Sequence, residues 1–222
     1  MKEPAFWEDV IADLPVCIAF RENWEKILEE AHEYLAISPD FLISYPAIEV
    51  DDLEKPGEKT KVYCGNSWKV ATAGIKTDDA MTSLGGPFIA KYVKKTVGIE
   101  LSDIVLSVAS VLPTIHKIAK PLEDAGHMFN GVFSVVSPGT AIAPHRGDSN
   151  LMRVHLGLVC DPLCEITVGP DKRTWKEGEL LAFKDGGAYP HSVTHNGTHD
   201  RLILIFDLTL DYLRSVIDHP ML

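Results

Sequence analysis

The 222-residue chain has only four cysteines, Cys17, Cys64, Cys160 and Cys164, and none of them form a Cys-x-x-Cys pair. That scarcity argues against a disulfide scaffold and predicts reduced thiols in a cytosolic chain. No run of about 18 apolar residues occurs, so no membrane-spanning helix is expected. The opening Met1-Lys2-Glu3-Pro4 brings an acidic residue before any apolar stretch and does not read as a secretory leader. There is no basic excess: 21 Lys and Arg face 32 Asp and Glu, a formal charge of −11. With no basic run either, a nucleic-acid or anionic-membrane partner is not expected. Internal repeats, linkers and low-complexity segments are also absent. What is present is a 45% hydrophobic composition, enough for a sizeable core. One domain over residues 1–222 is the expectation.

The first half, residues 1–130, reads mainly as helical support. Phe20, Trp24, Ile27, Leu28, Ala31, Tyr34 and Leu35 recur at helical spacing, and Ser38-Pro39 stops that helix. Short runs at Lys59–Tyr63 and Trp68–Ala73 read as strands. Pro87 opens a further helix that ends at Gly98, and Ser102 caps another that Pro113 should kink or end. From about Gly131 the pattern changes to short strands between turns. They are Val132–Val136, Ala141–His145, Met152–Val159, Glu165–Val168, Leu180–Phe183, His191–His195 and Arg201–Leu208. Such spacing predicts a β-sandwich or barrel.

Five of the nine histidines, His145, His155, His191, His195 and His199, lie in this β half. Strand alternation places Arg153, His155 and Gly157 on one face and Val154, Leu156 and Leu158 on the other. A face bearing Arg and His is either solvent-exposed or lines a polar cavity. The same alternation puts Ala141, Ala143 and His145 on one face, and His191, Val193 and His195 on one face. Neutral imidazoles are good ligands for iron, zinc, copper and nickel. His145 and His191 are too far apart for a local motif, so only a barrel could bring them together.

Read together, Phe133-Ser134-Val135-Val136-Ser137-Pro138-Gly139-Thr140-Ala141-Ile142-Ala143-Pro144-His145-Arg146-Gly147, Asn150 and Arg153-Val154-His155-Leu156-Gly157-Leu158 resemble the core of the aspartyl/asparaginyl β-hydroxylase family. The likeness continues through Trp175-Lys176-Glu177-Gly178-Glu179-Leu180-Leu181-Ala182-Phe183-Lys184-Asp185, Pro190-His191-Ser192-Val193 and Arg201-Leu202-Ile203-Leu204-Ile205-Phe206-Asp207. The resemblance implies a mainly β fold with α, a double-stranded β-helix (jelly-roll, cupin-like barrel) backed by N-terminal helices, with the core at 131–210. It also implies an Fe(II)- and 2-oxoglutarate-dependent dioxygenase. His145 and His191 match its iron ligands, and Arg201 with Ser134 matches the grip on the distal carboxylate of 2-oxoglutarate. Arg153 and His155 match polar groups near cosubstrate and substrate. Gly147 stands where many related oxygenases carry a third, carboxylate ligand, which the β-hydroxylase family also lacks; Asp148, one residue on, is a minority alternative.

Three departures fall on the substrate side. The stretch from His145 to Arg153 is one residue short. The surroundings of His191 lack the usual acidic residue and tryptophan, and the tail after Asp207 diverges. Nothing resembles the membrane anchor or helical repeats of the large animal members. The expectation is therefore a free-standing cytosolic enzyme that uses 2-oxoglutarate and O2 to hydroxylate an amino acid or small amino-acid-derived metabolite, releasing succinate and CO2. The alternatives are β-hydroxylation of Asp or Asn within a protein or peptide, or another oxidative outcome (desaturation, cyclisation, halogenation). A non-catalytic, cupin-like metal-binding domain is the competing non-enzyme reading.

Overall fold

The computed structural model describes residues 3–37, 42–45, 49–51, 57–61, 67–75, 110–147 and 150–222. The helices expected at Pro87–Gly98 and after Ser102, and the residues Cys64 and Asp148, lie outside these. Five helices and twelve strands are described. The helices are α1 (Glu8–Ile11), α2 (Pro15–Glu22), α3 (Trp24–Ile37), α4 (Pro113–Asp124) and α5 (Leu210–Val216). The first strands are β1 (Ile43–Ser44), β2 (Glu49–Asp51), β3 (Lys59–Lys61) and β4 (Trp68–Thr72). Then follow β5 (Met128–Val136), β6 (Ala141–His145), β7 (Leu151–Val159), β8 (Cys164–Val168), β9 (Asp171–Thr174), β10 (Leu180–Lys184), β11 (His191–His195) and β12 (Arg201–Thr209).

One expectation about helices is corrected. The apolar stripe from Phe20 to Leu35 is two helices, divided at Asn23, whose backbone and side-chain N–H groups both donate to the Ala19 carbonyl. An amide side chain that competes for the backbone in this way ends a helix despite continuous periodicity. Residues 110–111 are helical and the helix stops at Leu112, just before Pro113; Pro113 then starts α4, because at the first helical position its missing N–H costs nothing.

Apart from the hairpin β8–β9, strands β5 to β12 alternate between two antiparallel sheets. The larger has the order β1-β4-β5-β12-β7-β10 and the smaller β6-β11-β8-β9, while β2 pairs with β3 separately. In the larger sheet β12 lies between β5 and β7, and in the smaller one β11 lies between β6 and β8; this is the winding of a jelly roll, so the fold is a double-stranded β-helix. β9, with the sequence Asp-Lys-Arg-Thr, was not anticipated. It is an exposed edge strand with no apolar alternation to betray it.

The helices cover the outer face of the larger sheet. Phe20 of α2 stacks on Phe206 of β12 with ring centroids 4.6 Å apart, α3 packs on β7 and α4 on β5. β7 and β12 are therefore buried on both faces, one against helices and one against the barrel interior. This resolves the two-faced reading of β7: Arg153 and His155 are buried and line a cavity.

Candidate active site

The cavity lies between the sheets, and both imidazoles reach it because β6 and β11 are antiparallel neighbours. His145 ends β6, His191 begins β11, and the two are direct register partners. Their ring centroids are 4.2 Å apart. A β-bulge sets the inward direction. Three steps separate His145 from Ile142 on β6, but only two separate their partners His191 and Val193 on β11. The extra residue, at Ala143-Pro144, reverses the alternation. Ile142 thus joins His145 in the cavity, which corrects the face shared with Ala141 and Ala143; Ala141 is exposed.

Nδ1 of His145 lies 2.8 Å from the Ala143 carbonyl, so it carries the proton and Nε2 keeps its lone pair. Burial holds His145 below the ordinary histidine range. His191 is held well below it by burial and then by the neighbouring His145. Two neutral imidazoles facing one another fit a divalent metal. Among the described residues no group of three or more His, Cys, Asp or Glu forms a metal cage, so those residues offer the two imidazoles; Asp148 lies outside them.

Beside it stands a carboxylate that sequence reasoning missed. Asp185, just after β10, is fully buried, and its Oδ1 lies 3.6 Å from His191 Nε2 and 2.7 Å from Arg153 Nη1. A Cβ at position 147 would fall 1.7 Å from Asp185 Oδ2. The third carboxylate that related enzymes carry two residues after the first histidine has no room here, since the side chain of Asp185 fills that space. The only trace of this in the sequence is the coincidence of Gly147 with an aspartate 38 positions later, which is no signal at all.

Deeper in the cavity, Arg201 opens β12 and is 2% exposed. Its Nη2 donates to Ser134 Oγ at 2.9 Å, and Trp68 Nε1 donates to the same oxygen at 3.1 Å. With two donors accepted, the Ser134 hydroxyl proton is left to donate into the cavity. No carboxylate pairs with Arg201 among the described residues; its guanidinium instead lies 4.5 Å over the Trp175 ring. Its Nε has no hydrogen-bond partner. Burial pulls Arg201 down to about 10, so it remains a cation at neutral pH. His155 Nδ1 accepts from Trp175 Nε1 at 3.2 Å, and its Nε2 is a second orphaned buried atom. Burial, then Arg201 and Arg153, hold His155 well below the ordinary range. A buried cation with unmet donors around it fits a carboxylate ligand.

Arg153 lines the same cavity, with its donors engaged inside the protein. Nε and Nη2 clasp Asp207 at 3.0 Å each, and Nη1 holds Asp185. Although burial opposes its charge, the Asp185 and Asp207 carboxylates keep Arg153 above the usual arginine range. Three of its roughly five N–H donors are thus taken within the protein. His195 is a hydrogen-bonded histidine away from the cavity. Its Nε2 lies 2.8 Å from the His199 carbonyl, and its Nδ1 accepts from Gly197 N. His199 is exposed, its ring 3.2 Å from Asp161 Oδ2 and within hydrogen-bond distance of the Cys160 carbonyl. Cys17, Cys160 and Cys164 are free thiols.

Comparisons with known proteins give the following relatives. "Aspartate beta-hydroxylase domain-containing protein 2" of Homo sapiens is 39% identical over 83 residues, 36% of this chain and 22% of that protein. "Aspartyl/asparaginyl beta-hydroxylase" of Mus musculus is 40% identical over 78 residues, 34% of this chain and 10% of that protein. The matched part of the chain thus spans a quarter or less of these relatives. Among solved structures, the Cupin_2 domain of an XRE family transcriptional regulator from Enterobacter cloacae aligns at 10% identity with a TM-score of 0.33, over 40% of this chain and 87% of that one. The model of the family described as "Aspartyl/Asparaginyl beta-hydroxylase" matches residues 21–210, most of the chain. On that match, and with the paired imidazoles and jelly-roll winding at its centre, the chain belongs to the aspartyl/asparaginyl β-hydroxylase family.

Proposed function

We propose that this chain is an Fe(II)- and 2-oxoglutarate-dependent oxygenase that hydroxylates the β-carbon of an aspartyl or asparaginyl side chain within a peptide or protein. The family description favours this substrate over the free amino acid or small metabolite expected from the sequence. The observation that carries the cosubstrate is Arg201, a buried guanidinium with no carboxylate partner among the described residues, in the same cavity as the two imidazoles.

His145 and His191 would hold the iron, which when bound supplies the activation of O2 that oxidation of an unreactive C–H bond needs. Because both imidazoles are neutral, they offer lone pairs without first releasing protons. Asp185, locked by Arg153, presents negative charge beside His191 and orders the polar side of the centre. Arg201, Ser134 and His155 converge on the position of the distal carboxylate of 2-oxoglutarate and fix its orientation by hydrogen bonds that carry charge. Ile142, Phe183 and Ile205 line the remaining wall with apolar surface that excludes water.

The test is turnover of 2-oxoglutarate with and without Fe(II), read as succinate, against Asp- and Asn-containing peptides and against free amino acids. Fe(II)-dependent succinate formation, coupled to a gain of one oxygen on a peptide and lost in His191→Ala, supports the proposal. Coupled turnover confined to free amino acids would overturn the substrate. Binding of metal and 2-oxoglutarate without consumption would return the chain to the non-catalytic, cupin-like reading.

A further inference from the structure

Trp175 touches both orphaned donors of the anion pocket. Its indole N–H reaches His155 Nδ1 at 3.2 Å, and its ring lies under the Arg201 guanidinium at 4.5 Å. The indole is 3% exposed and is nearly parallel to the His155 ring, with an interplanar angle of 28°. A close backbone approach holds it there. Gly157 lies two residues beyond His155 on β7, and a Cβ at that position would meet the Lys176 carbonyl oxygen at 2.1 Å. Gly178 N donates to the Gly157 carbonyl, and Gly157 N donates to the Glu179 carbonyl. The loop carrying Trp175 can therefore lie directly on β7 only because residue 157 has no side chain.

We infer that Trp175 is the positioning residue of the anion pocket: its N–H fixes the His155 tautomer so that Nε2–H donates to the carboxylate, and its ring supports Arg201 in place of a counter-carboxylate. The inference rests on the proposed binding of 2-oxoglutarate in that pocket. The indole N–H can only donate, so His155 Nδ1 must be the acceptor and the single ring proton of a neutral imidazole must sit on Nε2. A carboxylate under Arg201 would neutralise the guanidinium and compete with the ligand. An aromatic face attracts the cation without removing its charge, which leaves the pocket's field open to an incoming anion.

Nitrogen-15 histidine spectra of the metal-free wild-type protein read the tautomer directly. A proton on His155 Nε2 is expected; a proton on Nδ1 overturns the inference whether or not any variant folds. Trp175→Phe keeps an aromatic face and deletes the N–H, and its folding is checked by circular dichroism. It should show mixed His155 tautomers and an about tenfold weaker Kd for 2-oxoglutarate, measured with Mn(II) in place of iron, the scale of one lost hydrogen bond to a charged group. With saturating cosubstrate, kcat should stay within about twofold of wild type, since only binding is weakened. Trp175→Leu, which removes the face as well, should bind weaker still. A Trp175→Phe protein that binds 2-oxoglutarate as tightly as wild type, with His155 unchanged, refutes the inference. If the wild type itself fails to bind 2-oxoglutarate, the proposed function falls, while the wild-type spectrum still decides whether Trp175 orients His155.

Discussion

At the scale of single residues the cavity trades stability for binding. Arg201 is a buried cation with an unmet donor, so its removal should relieve strain in the empty protein. Arg201→Met, which fills similar space, should raise folding stability by about 1–3 kcal/mol in the absence of 2-oxoglutarate, measured by urea denaturation, while abolishing 2-oxoglutarate binding. Gly147 is the reverse case. Gly147→Ala places a methyl group on the Asp185 carboxylate and should cost about 1–3 kcal/mol and displace that carboxylate from His191. The histidines set a pH dependence. His145, His155 and His191 all have folded pKa values lowered from about 6.5. Below 6.5 the unfolded chain binds protons that the folded protein refuses. Their contribution is therefore fully present above that pH and lost on acidification, at up to about 1.4 kcal/mol per pH unit for each histidine. Urea midpoints of the metal-free protein should stay level above about pH 7 and fall from about pH 6.5 to 5 with an unchanged m-value; a flat profile would contradict the burial of these rings.

Among the elements, a buried polar chain stitches the larger sheet. Asn130 of β5 donates to Asp207 of β12, Asp207 is clasped by Arg153 of β7, and Arg153 holds Asp185 at the end of β10. The chain crosses four strands in their order in the sheet. Asn130 has φ of 58° at the start of this chain, a left-handed backbone that asparagine tolerates better than most residues. Asp207→Ala would leave Arg153 with an uncompensated charge in the core and should destabilise the protein by about 3–5 kcal/mol. Replacing Arg153 and Asp207 together by Met and Leu should cost much less, a difference that a double-mutant cycle reads directly. Strands β4, β5, β7, β10 and β12 of this sheet were legible because apolar runs bounded by turn residues are hard to read otherwise, whereas the two-residue β1 was not. The ion chain was not, because Asp207 and Asp185 sit in the sequence as ordinary polar residues near the ends of apolar runs.

For the whole molecule, the two sheets and the helical layer share one apolar core, so a ligand that enters between the sheets should stabilise all of it together. At 100 times its Kd, 2-oxoglutarate with Mn(II) should add about 2.7 kcal/mol and raise Tm by about 5–10 °C. Arg201→Met should show no such shift, and Trp175→Phe a smaller one at equal ligand concentration.

Residue order alone determined the strands of the second half other than β9, that Arg153 and His155 share a face, and, through an extended series of motifs, the family. Local periodicity and turn chemistry suffice for these, since they depend on neighbours a few positions apart. Only the tertiary structure decided that His145 and Ile142 share the cavity, that Asp185 occupies the space Gly147 leaves, and that Trp175 underlies Arg201. Each of those depends on a bulge, a missing Cβ or a loop laid on a strand, where groups far apart in sequence exclude or attract one another within a few ångströms.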